Sequence, residues 1–185
     1  SFFYNYSGDP HQKYSGEKFI PLSGGLYLII FFVFFLYKFF FELYYFLFAI
    51  FLIGLLSDFR LIISPLKRLV MQTIVTLFFV YIFELQLLST RIIFLDILLT
   101  NIYFSIFFTS FCLILLMNGS NFIDGLNSLV LVYYTIILII LFKLDLQLNL
   151  NLNKEHWHFL IYFLFILIIF NFCKKFYLGD SGTYL

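Results

Sequence analysis

The chain has 185 residues, of which 63% are hydrophobic, 24% aromatic and only 11% charged. A soluble domain of this size has too little interior to hide that apolar surface, so a polytopic, all-α membrane helix bundle is expected. The net charge of +1 removes the electrostatic case for a nucleic-acid partner.

A bilayer-spanning helix needs about 20 apolar residues. Residues 1–20 are polar and carry Gly8, Pro10, an isolated His11 and Gly16, as a loop leading into a first span would. The apolar stretch 22–56 is too long for one crossing and holds Lys38 and Glu42 near its middle, which predicts a hairpin of spans 22–37 and 40–56. Further spans are predicted over 67–83, 97–117, 128–142 and 159–173, all within a single membrane domain. Glu84, Arg91 and Asp96 read as loop and helix-end charges. The alternation through Gln147–Asn153 predicts a short strand or extended loop. His156-Trp157-His158 lies at a span edge, where such residues serve as interfacial anchors. Cys112 and Cys173, in or at the ends of apolar runs, read as buried free thiols. The chain opens on Ser1-Phe2-Phe3-Tyr4 and stops just after a glycine-rich motif, as a piece of a longer gene would.

The chemistry is concentrated in polar islands between the spans. These are Gly24-Gly25, Ser57-Asp58, Asn118 through Asn127, and Gly179-Asp180-Ser181-Gly182, within or beside loops 57–66, 118–127 and 174–185. Two spans separate each island from the next, so all four are expected on one side of the membrane. Lys13, Lys18, Arg60, Lys67, Arg68, Lys174 and Lys175 on that side outnumber Lys38, Arg91, Lys143 and Lys154 on the other, which makes it cytoplasmic.

Polar side chains at the mouth of a membrane bundle are costly and mark sites. Asp180 lies between glycines that let a ligand approach; with the amide oxygen of Asn121 it suits magnesium, which takes few protein oxygens together with water and phosphate. A plainer role for Asp180 is to cap a helix start. If residues 118–124 are helical, Asn121 and Asp124 share a face with Asn118 one turn earlier; capping of two helix ends is the alternative. Asp58 ends one span, and Lys67 and Arg68 open the next after Pro65. A Lys at a helix N-terminus is disfavoured by the helix dipole, which hints that Lys67 serves a phosphate, whereas Arg68 reads as a membrane anchor.

In this order the motifs Pro21-Leu-Ser-Gly24-Gly25, Gly54-Leu-Leu-Ser57-Asp58 with Lys67-Arg68, Asn118-x-x-Asn121-x-x-Asp124-Gly125-x-Asn127, and Gly179-Asp180-Ser181-Gly182 resemble the polyprenyl-phosphate N-acetylhexosamine-1-phosphate transferases, the glycosyltransferase family 4 type related to the muramoyl-pentapeptide transferase. The resemblance implies transfer of a sugar-1-phosphate from a UDP-N-acetylhexosamine to undecaprenyl phosphate with release of UMP, in a bacterial cytoplasmic membrane. It implies magnesium, with manganese as a substitute, held by Asp180 and Asn121. Lys67 would contact phosphate, Asp58 the lipid phosphate and Asn127 the uracil, with Asp124 in the catalytic group and Asn118, Gly24 and Gly25 near substrate. Membrane lipid surrounds such an enzyme, and the oligomeric state is open, a homodimer included. Two positions depart from the pattern: Ser57 stands where relatives carry a first aspartate, and Asn127 where many carry aspartate. Gln12-Lys13-Tyr14 and Ile20-Pro21-Leu22-Ser23-Gly24-Gly25 resemble the GlcNAc branch. The chain ends before the family's remaining helices and histidine loop, so turnover by this stretch alone is not expected. A catalytically inactive relative and a small transporter are the competing readings; a transporter would place its ionisable residues near mid-membrane.

Overall fold

In the computed structural model the regular elements among the described residues are helices; the structure describes 20–36, 41–87, 89–124, 128–148 and 154–185, without the side chains of 35–36, 41–42, 145–148 and 154–156. α1 (Gly24–Phe31) runs into a π-helical turn (Phe32–Leu36). There follow α2 (Phe41–Asp58), α3 (Pro65–Ile82), α4 (Ile93–Leu99), α5 (Ile102–Ile123), α6 (Leu129–Leu148), α7 (Lys154–Phe172) and the short α8 (Gly179–Thr183). Helices are the form that long apolar runs must take in lipid, because each backbone N–H finds its carbonyl within the same segment. α3 and α5 are long and apolar enough to cross a membrane, and α1, α2, α6 and α7 carry shorter apolar stretches. Their outward faces are apolar as well, with Phe78 at 66% and Phe107 at 61% exposure, as a lipid-facing surface requires. The chain is a membrane helix bundle.

Several boundaries differ from the sequence pattern for local reasons. The stretch 97–117 is not one helix, because the Asn101 side chain accepts the N–H groups of Tyr103 and Phe104 at 3.0 and 3.2 Å and starts α5 afresh. At its other end α5 continues to Ile123, so Asn118 and Asn121 stand on its closing turns rather than in a loop. Asn118 Nδ2 and Ser120 Oγ each donate back to the carbonyl four residues earlier, which spares both polar groups an unsatisfied burial. Ser57 and Asp58 likewise belong to the last turn of α2. α3 begins on Pro65 itself, where the missing N–H costs no helical bond. Gln147 and Leu148 end α6 as helix, not strand.

Two cores hold the helices together. Leu28, Val130, Leu131, Leu164, Leu167, Phe176 and Leu178 join α1, α6, α7 and the approach to α8, with Phe31 stacked on Phe163 at 4.1 Å between centroids. Ile50, Ile53, Met117 and Tyr184 join α2, α5 and the chain beyond α8. α3 packs along α5, whose buried Ser105, Thr109 and Ser110 are of the small type that lets membrane helices approach closely. Trp157 and His158 lie against Phe142 where α6 and α7 meet.

Candidate active site

The short helix α8 is the organising element. It packs on α2 and α1, and also on α5. Contact is backbone to backbone, and glycines make it possible. A Cβ on Gly24 would meet Leu178 Cα at 2.6 Å, one on Gly25 would meet the Gly182 nitrogen at 2.7 Å, and one on Gly54 the Asp180 carbonyl at 2.7 Å. The N–H groups of Gly24 and Gly25 donate to the carbonyls of Tyr177 and Leu178 at 3.0 and 3.2 Å. Gly24 and Gly25, expected near substrate, are buried here as the seat of α8. Gly179 enters α8 with φ +69°, a conformation that favours glycine, and a Cβ there would sit 2.7 Å from the Asp58 carboxylate.

Asp180, the second residue of α8, gathers donors from three other helices. Its Oδ2 accepts from Ser57 Oγ at the end of α2 and from Arg68 Nη1 in α3, which forms an ion pair with it. Arg68 Nη1 also donates to Ser57 Oγ at 2.9 Å. Its Oδ1 accepts from Asn121 Nδ2 of α5 at 2.8 Å, and the same amide donates to the Tyr184 hydroxyl at 3.0 Å. Burial and the Asp180 charge push the Tyr184 phenol above its ordinary range, which keeps it neutral. The side chains of Arg68 and Asp180 are 24% and 20% exposed, so the cluster is open to a ligand from outside.

The other sequence-predicted residues differ in how they stand to this centre. Asp58 turns inward: its two oxygens accept the backbone N–H groups of Asp180 and Ser181 at 2.8 and 3.0 Å, so the helix cap at this motif is Asp58, not Asp180. Asp124 caps the C-terminal end of α5. Its carboxyl is pushed up to about 8, first by burial and then by the charges of Asp180 and Asp58. Asn118 does not reach Asp180; its amide donates to Gln72 Oε1 at 3.0 Å. Lys67 is exposed, and the cation delivered to Asp180 is its neighbour Arg68, which the sequence pattern had marked as a simple membrane anchor. Asn127 lies outside the described residues.

A signal for Arg68 was present in the sequence. Arg68, Gln72 and Thr76 recur every four residues along an apolar helix, one polar stripe that excludes Lys67; Gln72 and Thr76 are fully buried. Asn171 is the other residue that spacing missed. Buried in α7, it accepts from Ser128 N–H and Oγ at 2.7 and 3.0 Å and donates to the Phe176 carbonyl at 3.0 Å, clipping the start of α6 to the segment that leads into α8. A lone amide inside the run Phe163–Cys173 was its mark.

Asp58 and Asp124 thus lie close enough for their charges to act on one another and on Asp180, which pairs with Arg68. No three His, Cys, Asp or Glu side chains among the described residues are grouped to hold a metal by themselves. The donors, a carboxylate and a carboxamide open to the surface, instead fit magnesium, which completes its shell with water and substrate phosphate. The Asn121 amide now presents N–H to Asp180; turned over, it would present oxygen beside it.

A polar cluster centred on Asp180 thus sits among apolar helices. Residues 40–185 match glycosyl transferase family 4, and the chain belongs to that family. It is accordingly a membrane transferase of the type that moves sugar phosphates onto polyprenyl phosphate. No curated protein and no solved structure matches the chain.

Proposed function

We propose that the protein transfers an N-acetylhexosamine-1-phosphate from a UDP-sugar to undecaprenyl phosphate, releasing UMP, as the first membrane step of cell-envelope polysaccharide synthesis. Its site faces the cytoplasm of a bacterial inner membrane. The observation that carries this reading is the convergence of Ser57, Arg68 and Asn121, from three helices, on the carboxylate of Asp180.

In the reaction an oxygen of the acceptor phosphate attacks the β-phosphorus of the UDP-sugar. The bond from that phosphorus to the oxygen shared with UMP breaks, and UMP leaves with the electron pair. Such transfers need positioning and charge neutralisation more than covalent help. Asp180 and Asn121 would hold magnesium, which when bound supplies neutralisation of the diphosphate charge. Arg68 supplies a fixed cation and a fork of donors for phosphate oxygens. Ser57 Oγ, bonded to both Arg68 and Asp180, keeps the two side chains in register. A serine cannot act as a base there, and none is required: a phosphate monoester has a second pKa of about 6 and is largely ionised at neutral pH.

The test uses the full-length protein in membranes with undecaprenyl phosphate and UDP-GlcNAc, following UMP release with and without magnesium. Magnesium-dependent release that falls at least about a hundredfold in Asp180→Asn is the expected result. Release restored only by Ser57→Asp would identify an inactive relative. No release from any UDP-N-acetylhexosamine in either form would refute the transferase reading.

A further inference from the structure

We propose that Asp58 is a positioning residue, which aims the Asp180 carboxylate by capping α8 and does not touch the acceptor phosphate. This rests on the reading of Asp180 as the cation-holding group. The Asp180 oxygens are met by side chains, those of Ser57, Arg68 and Asn121, which can swing aside for a ligand, whereas the Asp58 oxygens are met by backbone amides, which cannot. Asp58 turns both toward the protein, one to the Asp180 N–H at 2.8 Å and one to the Ser181 N–H at 3.0 Å. The fit is two-sided: the left-handed Gly179 brings these amides round to α2 and leaves no room for a side chain between them and the carboxylate.

The consequence follows from the size of α8. A helix of one turn, Gly179–Thr183, cannot hold itself together in isolation, because nucleation orders several residues for a single hydrogen bond. Its shape is therefore borrowed from its partners. The glycine seat on α1 and α2 sets how closely α8 lies, while Asp58 sets where its first turn points. Asp180 N–H is one of the two bonded amides, so a shift in the cap moves the Cα that carries the cation-holding carboxylate. Supporting groups of this kind are typically worth about 10- to 100-fold in metal affinity.

The experiment compares Asp58→Asn, which keeps size and one acceptor oxygen, with Asp58→Glu, which keeps charge at a longer reach, and with Asp180→Asn. The full-length proteins, in lipid nanodiscs, are titrated with Mn2+ by electron paramagnetic resonance. Amide exchange at Asp180 and Ser181 is followed alongside, and the KM for undecaprenyl phosphate is measured. Asp58→Asn is expected to weaken Mn2+ binding about tenfold, to speed exchange at both amides, and to leave the acceptor KM within about twofold. Asp58→Glu is expected to lie between wild type and Asp58→Asn, since it keeps the charge that the amides attract. A raised acceptor KM with unchanged Mn2+ affinity in Asp58→Asn would overturn the proposal and return Asp58 to the lipid phosphate. Should Asp180→Asn bind Mn2+ as well as wild type, the reading of Asp180 fails. Faster amide exchange in Asp58→Asn would then leave Asp58 as a cap without catalytic consequence, which also overturns the proposal.

Discussion

Two carboxylates, at Asp96 and Asp58, both accept backbone N–H groups, yet they belong to different kinds of structure. Asp96 accepts from Thr90 N–H and Oγ1, each at 2.7 Å, and from Ser89 Oγ at 3.1 Å, all within seven residues. Asp58 accepts from Asp180 and Ser181, 122 and 123 residues away. The first arrangement is an exposed loop closed by its own side chains. The second exists only when α1, α2 and α8 have already met, and α8 has little structure of its own to lose. Local capping shapes a connection; long-range capping shapes a site.

The comparison is broken most severely at the cation. Arg68→Gln removes the charge brought to Asp180 from α3, and transfer should fall by about 10³ or more, in the range of other phosphate-facing arginines. Lys67→Gln, one residue away and exposed, should stay within about threefold of wild type. Steady-state UMP release measures both. Next comes the seat of α8. Gly54→Ala places a methyl group against the Asp180 carbonyl and should cost about 1–3 kcal/mol, seen as a lower melting temperature together with lost activity.

A smaller effect is expected from Asp124, whose carboxyl titrates near 8 in the folded protein and near 4 when unfolded. Between those values the folded state keeps a proton that the unfolded chain has released, so this group lowers stability as pH rises through the window. The slope should not exceed about 1.4 kcal/mol per pH unit. Melting curves from pH 5 to 8 should flatten in Asp124→Asn. Smallest of all is Asp96→Asn: UMP release should be unchanged, because the bonds it loosens lie in the Ser89–Asp96 loop and none reaches Asp180. A strong loss of activity there would erase the distinction between the two carboxylates.

Much of the architecture was legible before the structure. Apolar run lengths gave the helices that form the bundle, and even spacing of the polar islands put Gly24, Asp58, Asn121 and Asp180 where they meet. The spacing of Asn118, Asn121 and Asp124 by three residues placed them on one side of a helix, though the helix runs further than the hydropathy pattern indicated. Asn and Ser interrupt an apolar pattern without interrupting a helix when their side chains bond back to the preceding turn.

What the sequence by itself determined is the class of the protein: an apolar, all-helical chain whose few polar groups must cluster, since lipid gives a lone polar side chain no partner. The tertiary structure alone decided which partner each group takes. Helical period says which residues share a face but not what that face meets across a hundred residues of chain. The fold alone brought Arg68 from α3 to Asp180, laid α8 on Gly24 and Gly25, and set the Asp58 carboxylate on the first amides of α8.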